Sequence, residues 1–212
     1  MVKVKICGIT NWTDARNALE AGADFLGFNF YRKSPRYIAP AAARRIVRRL
    51  PEGVSSVGVF VNEPEEETLL IARQVGLDFL QLHGDETPKV VSHLRRTLPV
   101  IKALRVHGAL RSAELARFKA ASAVLIDGFD RKLRGGTGKQ VNWNLAKRAS
   151  RNRRVFLAGG LTPENAAEAV ITAQPYAIDV CSGVESRPGK KDARRMRALV
   201  QAVHSVRKKT KR

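Results

Sequence analysis

Val155-Phe156-Leu157-Ala158-Gly159-Gly160 leads into a segment of helical period over residues 163–172 and then into Ala177-Ile178-Asp179-Val180-Cys181-Ser182-Gly183. Both apolar runs are short and mostly continuous, not alternating, and both end in small or polar residues. Continuous apolar strands are expected where helices cover a parallel sheet and leave neither face to solvent. Strand, helix, strand at this spacing is a parallel crossover unit, which needs a dozen or more residues between its strands. The same unit repeats outward in both directions. Strands are read at 2–7, 25–30, 57–61, 79–82, 100–104 and 124–127, with helices near 13–21, 40–50, 64–75, 87–98, 109–119 and 143–149. A last helix follows the final strand over 192–206. Thr13 or Asn11 can cap the first helix, and Pro64 suits the first turn of the third.

About eight such units in succession, with no linker between halves, predict one α/β domain: a closed (β/α)8 TIM barrel of eight parallel strands over residues 1–206, with a basic tail at 207–212. At 212 residues the chain is shorter than the ~250 typical of that fold, yet long enough for a single core. With 44% hydrophobic and 27% charged residues, low-complexity disorder is excluded. No apolar run approaches the ~18 residues that cross a bilayer, and the first residues enter a strand pattern instead of a signal peptide. No membrane partner is therefore expected, and the cytoplasm is the expected compartment. Two cysteines, Cys7 and Cys181, are too few for a disulfide scaffold and lack metal-ligand spacing.

The net charge of +20, from 39 basic and 19 acidic residues, invites a nucleic-acid reading. That reading asks for basic residues on one face with aromatics to stack on bases, whereas aromatics are 6% of the chain. The basic residues are spread out, with Arg44, Arg45, Arg48 and Arg49 on one helix, Arg151, Arg153 and Arg154 in a loop, Arg194, Arg195 and Arg197 on the last helix, and Arg207 to Arg212 forming a basic tail. Solvated outer helices fit this distribution better than a nucleic-acid face, and the charge would draw anionic substrates toward the protein. The sequence carries no signal of oligomeric state.

In a barrel of this type the active site forms where the strands' C-terminal ends give way to loops. Cys7, Asn29, Asn62, His83, Lys102, Asp127 and Asp179 all fall at such ends. Gly159-Gly160 after the seventh strand and Ser182-Gly183 after the eighth put backbone N–H groups where such barrels hold a phosphate. A short helix starting near Gly183 would add its positive end. A small phosphorylated ligand is expected. Gly135-Gly136-Thr137-Gly138-Lys139 reads as a lid, a second phosphate clamp or a plain flexible turn.

Lys5-Ile6-Cys7-Gly8-Ile9-Thr10, Ser34-Pro35-Arg36-Tyr37, Gln81-Leu82-His83-Gly84, Gly135-Gly136-Thr137-Gly138, Ala158-Gly159-Gly160-Leu161 and Ser182-Gly183-Val184-Glu185 with Pro188-Gly189-Lys190-Lys191-Asp192 stand in this order along the chain. Together they resemble the signature blocks of the phosphoribosylanthranilate isomerases, and the likeness spans nearly the whole chain. The resemblance implies an Amadori rearrangement of a phosphosugar in tryptophan biosynthesis, with Cys7 as general base and Asp127 as general acid. It assigns Arg36 to the anthranilate carboxylate. His83 and Asp179 follow as strand-end groups for the ribose or carboxylate, each with a structural reading beside the functional one. The rearrangement is an internal redox change of the sugar, so the expected cofactor list is empty, metals included. The reaction wants a protonated Asp127 and an ionised Cys7, whereas an ordinary carboxyl is ionised and an ordinary thiol protonated at pH 7. Burial would favour the first, and strand parity aims Lys5 toward Cys7 to favour the second.

Three departures from the family pattern stand out: Cys181 where many relatives carry serine, Val141-Asn142-Trp143 for a more usual Phe-Asp-Trp, and Asn29 where an apolar residue is common. Since first and last strands adjoin in a closed barrel, Cys181 is expected near Cys7, within reach of an oxidative disulfide. Three other functions are set beside the isomerase. A phosphosugar epimerase would want an acidic pair and usually metal-binding histidines, whereas of the four histidines only His83 falls at a strand end. A bifunctional isomerase that also serves the histidine pathway uses aspartate as its base, which Cys7 argues against, and a nucleic-acid-binding barrel is disfavoured by the scattered charge.

Overall fold

Eight strands pair in sequence order and the first closes on the last, all in parallel, so the sheet has no edge. The computed structural model describes residues 1–105, 112–127 and 143–206; the glycine stretch at 135–139 and the tail at 207–212 lie outside the described residues. In chain order the elements are β1 (Lys3–Cys7), α1 (Trp12–Ala21), β2 (Phe25–Asn29), α2 (Pro40–Val47), β3 (Ser55–Phe60), α3 (Glu65–Val75), β4 (Phe79–Leu82), α4 (Pro88–Leu94), β5 (Val100–Arg105) and α5 (Ser112–Arg117). They continue with β6 (Ala123–Asp127), α6 (Trp143–Ser150), β7 (Val155–Ala158), α7 (Ala166–Ala173), β8 (Ala177–Val180), a short hairpin of β9 (Glu185–Arg187) and β10 (Lys190–Lys191), and α8 (Ala193–Ser205).

Local chemistry sets the ends of these elements. Asn11, not Thr13, caps α1 by accepting from the Asp14 N–H at 2.9 Å. Pro64 stands one residue before α3 instead of in its first turn, and three glutamates fill that turn, where the helix dipole favours anions. Helix α4 stops at Leu94, short of the expected residue 98, because Arg95 to Leu98 turn back onto Val91, His93 and Leu94 carbonyls. Helix α7 begins three residues late, since Thr162 N–H is taken by the Asn165 side chain in a turn of its own. The β9–β10 hairpin is not announced by segments as short as Glu185-Ser186-Arg187 and Lys190-Lys191.

Successive side chains on a strand face opposite ways, which sorts the strands into two cores. Val4, Ile6, Leu26, Phe28, Leu80, Leu82, Val124 and Ile126 pack outward against the helices. Phe25, Val57, Ile101, Leu125, Phe156 and Ala177 pack inward and fill the lower barrel. The aromatic members meet edge to face, with ring centroids 5.4 Å apart for Phe25–Phe156 and 5.8 Å for Phe25–Phe79. One pleat higher, the same inward parity carries Lys5, Cys7, Gln81, Asp127 and Asp179. The barrel is therefore sealed below by rings and polar above, which leaves a single end for chemistry. Phe156→Ala should lower stability by about 3–5 kcal/mol, seen as a reduced urea midpoint at unchanged slope. A loss under about 1 kcal/mol would show that the ring does not plug the barrel.

Candidate active site

The open end holds a cavity of about 390 Å³, lined by Cys7, Arg36, His83, Asp127, Asp179, Gly159, Gly160, Ser182 and Gly183. The residues expected to act in catalysis, substrate binding and phosphate binding thus all line one cavity, which lies within the size range of small-ligand sites. Two strand-end residues do not join them. Lys102 alternates with inward Ile101 and Ala103; its ammonium is spent on Glu86 at 2.9 Å and on the Leu82 and Gly84 carbonyls. Asn62 serves the same loop by accepting from Asp85 N–H at 2.7 Å.

Cys7 ends β1, and Gly8 turns the chain away at φ +77°, a left-handed conformation suited to glycine. Gly27 on β2 leaves the space the thiol needs, because a Cβ there would lie 2.8 Å from Cys7 Sγ and 3.1 Å from Lys5 Nζ. Lys5 is wholly buried inside the barrel and donates to Asp179 Oδ1 at 2.8 Å. Burial alone works against its charge, but Asp179 and then the Cys7 thiol outweigh it and hold its pKa above the ordinary lysine value. Cys7 is driven well below an ordinary thiol, chiefly by a hydrogen bond from Cys181; burial opposes this, and Lys5 and Lys191 add to it. Cys181 moves the other way, since it keeps the proton it lends to Cys7, and its partial burial adds to the rise. Asp179 is pushed up to about 6 by burial, Lys5 opposing and the Cys7 charge reinforcing. Both pKa values rise, but with opposite consequences: the Lys5 charge is favoured because it faces two anions, whereas the Asp179 charge is disfavoured because burial and the Cys7 anion outweigh its one cation.

Across the cavity, Asp127 ends β6 with 23% of its side chain exposed, so the burial expected for it is only partial. His83 Nε2 stands 3.6 Å from Asp127 Oδ2, too far for a hydrogen bond but near enough to orient it. Gln81 Nε2 lies 2.9 Å from His83 Nδ1; an amide N–H there makes Nδ1 the acceptor and leaves the ring proton on Nε2, facing Asp127. Arg36 lies in the loop after β2. That loop is pinned by Asn29, whose amide donates to Ser34 Oγ at 3.1 Å and whose oxygen accepts from Tyr31 N–H at 2.9 Å. The unusual Asn29 thus organises the segment that carries Arg36.

On the β7 and β8 side, Gly159 and Gly160 both adopt positive φ, and Asn165 fastens their loop through the Gly160 carbonyl at 2.9 Å. Gly183 has no room for a side chain, because a Cβ would run into the Leu161 carbonyl. The helix expected there is a three-residue 3₁₀ turn, Ser182–Val184, too short to add much dipole. Exposed N–H groups are what this wall offers an anion. The sequence reading missed Glu185 and Lys191, although both stand inside the quoted blocks. Nothing in their spacing announces that Glu185 accepts from Arg36 and from Lys191, a bond of 2.9 Å in the latter case.

A model of the N-(5'phosphoribosyl)anthranilate (PRA) isomerase family matches residues 4–202. The chain belongs to that family. It is 50% identical over 206 residues to the N-(5'-phosphoribosyl)anthranilate isomerase of Citrifermentans bemidjiense, covering 97% of this chain and 98% of the relative. The phosphoribosyl anthranilate isomerase of Thermotoga maritima superposes with a TM-score of 0.89 at 43% identity, over 97% of this chain and all (100%) of that one. A second isomerase structure, in complex with reduced 1-(o-carboxyphenylamino)-1-deoxyribulose 5-phosphate, aligns with a TM-score of 0.84 at 40% identity over the same shares, 97% and 100%. The family's members are aldose–ketose isomerases of tryptophan biosynthesis, and this chain is one of them. Among the described residues no helix is long and apolar enough to cross a membrane.

Two measurements probe the thiol environment of this isomerase. Alkylation of Cys7 by iodoacetamide, followed against pH in a Cys181→Ser background, should show its midpoint move upward in Lys5→Met, because loss of the cation removes part of what favours the thiolate. An unmoved midpoint would remove Lys5 from that role. Hydrogen peroxide should join the two thiols in the wild type: the Cys7 thiolate takes an oxygen to become a sulfenic acid, and Cys181 displaces water from it. Two free thiols in peroxide-inactivated protein would count against that pairing.

Proposed function

We propose that Cys7 and Asp127 isomerise N-(5-phosphoribosyl)anthranilate from opposite sides of the cavity. The observation that carries this reading is the shared cavity itself. A thiol favoured as its thiolate at the end of β1 and a carboxyl at the end of β6 face one space, and three strand intervals of the closed ring separate them. Between them run the amide-rich β7 and β8 loops, with Gly159, Gly160, Ser182 and Gly183 as the proposed phosphate seat. The related isomerase solved with the reduced product analogue supports a ligand bearing one phosphate and one aryl carboxylate.

In this reading Asp127 gives a proton to the furanose ring oxygen as the C1–O bond breaks, and the anilino nitrogen lone pair forms the Schiff base. The electron-poor C1 makes the C2 hydrogen acidic. Cys7, as thiolate, removes it to yield an enolamine, which tautomerises to the ketone. Asp179 and Lys5 keep the thiolate's surroundings polar as its charge is neutralised, and His83 holds the Asp127 side of the sugar. Arg36 takes the anthranilate carboxylate, for which a guanidinium fork is well shaped.

Loss of phosphoribosylanthranilate fluorescence offers a direct assay. Cys7→Ser and Asp127→Asn should each slow turnover by about 10²–10⁴ with little change in thermal midpoint. A near-normal rate in either variant would strip that residue of its assigned step.

A further inference from the structure

The Arg36 guanidinium is not free in the cavity. Its Nε donates to Glu185 Oε1 at 2.9 Å and its Nη2 to Oε2 at 2.7 Å, a bidentate pair that links the loop after β2 to the start of β9. A guanidinium carries five N–H groups in a fixed plane. With the Nε/Nη2 edge spent on Glu185, the Nη1/Nη2 edge remains, with two parallel N–H bonds that match a second carboxylate. The Glu185 side chain is 4% exposed and that of Arg36 22%, so the clamp is buried while the arginine still lines the cavity.

Glu185 is itself over-supplied with donors. Lys191 Nζ reaches Oε1 at 2.9 Å from a fully buried position, and Gly189 N–H adds a contact at 3.3 Å. Lys191 also donates to the Cys181 carbonyl at 3.1 Å, so it is held independently of Arg36. Burial works against the Glu185 charge, but Arg36 and Lys191 hold its pKa below the ordinary carboxylate value. The sum of the three side chains is one net positive charge, located on the arginine that faces the cavity. Without Lys191, an Arg36–Glu185 pair would be neutral and offer an incoming anion little.

We propose that Glu185 is a positioning residue for substrate recognition: clamped by Lys191, it turns the Arg36 fork toward the cavity and so selects substrates that carry an aryl carboxylate. This rests on the reading of Arg36 as the carboxylate's partner, and the two can be separated. Reductive amination of ribose 5-phosphate with anthranilate or with aniline gives two stable arylamino-deoxyribitol 5-phosphates that differ only in the carboxylate. Their dissociation constants are measured by calorimetry for wild type, Arg36→Met, Glu185→Gln and the double variant Glu185→Gln/Lys191→Met. The double variant removes the two buried charges together and guards against a misfolded single variant.

Arg36→Met should weaken the carboxylated ligand by about 100-fold and each Glu185 variant by about tenfold, as expected for lost or misaligned charged hydrogen bonds. The aniline ligand should change less than about threefold in all of them. With the natural substrate, KM should rise in Glu185→Gln while kcat stays within about threefold. If Arg36→Met discriminates between the ligands and the Glu185 variants do not, or if they weaken both ligands alike, Glu185 has no part in aiming the fork. If Arg36→Met itself fails to discriminate, the carboxylate assignment falls and this proposal with it.

Discussion

Lys5 carries a positive charge inside the barrel with no exposed surface, and the polar end of the molecule is arranged around that fact. A buried ammonium costs several kcal/mol unless it is paired and its protons are taken up. Asp179 supplies one anion at 2.8 Å, and the Cys7 thiolate supplies a second. The thiolate in turn needs Cys181 as a proton donor, and Cys181 lies against Lys191, which lies against Glu185, which lies against Arg36. With Cys7 ionised and Cys181 protonated, three cations (Lys5, Lys191, Arg36) stand against three anions (Cys7, Asp179, Glu185). Ionisation of the thiol is thus what balances the cluster, and this is a stronger reason for it than any one neighbour.

That chain of contacts is possible only because a parallel barrel stacks its interior by parity. Phe25 and Lys5 are register partners on neighbouring strands, as are Lys5 and Asp179, so one ring of inward positions passes from hydrocarbon to charge within a single pleat. Aromatic rings beneath exclude water from Lys5, which raises both the cost of its charge and the strength of its pairing. The same register sets Ile6 against Val180 and brings the next residues, Cys7 and Cys181, to the rim together.

Strands β4, β7 and β8 were legible to the residue because each is a short, mainly apolar run, broken only by Gln81 in β4 and Asp179 in β8. Helix ends were less legible, since turns such as Arg95–Thr97 and the Asn165 loop compete with the helix on equal local terms and tertiary contacts decide between them. Among site residues, those at strand ends could be found from position alone. Glu185 and Lys191 could not: they act on Arg36, which is 149 residues before Glu185, and a short charged hairpin gives no hint of a partner so distant. Asn29 looked like a lapse in an apolar position until its amide was seen to fasten the arginine's loop.

The position of the cations bears on how an anionic substrate is captured. Among the described residues that line the cavity, Arg36 is the one lysine or arginine, and its Nε and Nη2 are bonded to Glu185. A phosphate seated at the Gly159–Gly160 loop would be held by backbone N–H groups, which are directional but weak at long range. On the proposed function, attraction over distance would come from elsewhere, and the net charge of +20, spread over many surface groups, would supply it. Several are already anchored to the scaffold: Arg49 lies 3.6 Å over the Trp12 ring, and Arg153 closes the Phe118 and Ala121 carbonyls. With the roles proposed for Arg36, the amide wall, Cys7 and Asp127, capture and recognition would be divided. A diffuse positive field, screened by salt, would concentrate the substrate, while one clamped guanidinium and a wall of amides would fix its orientation between Cys7 and Asp127.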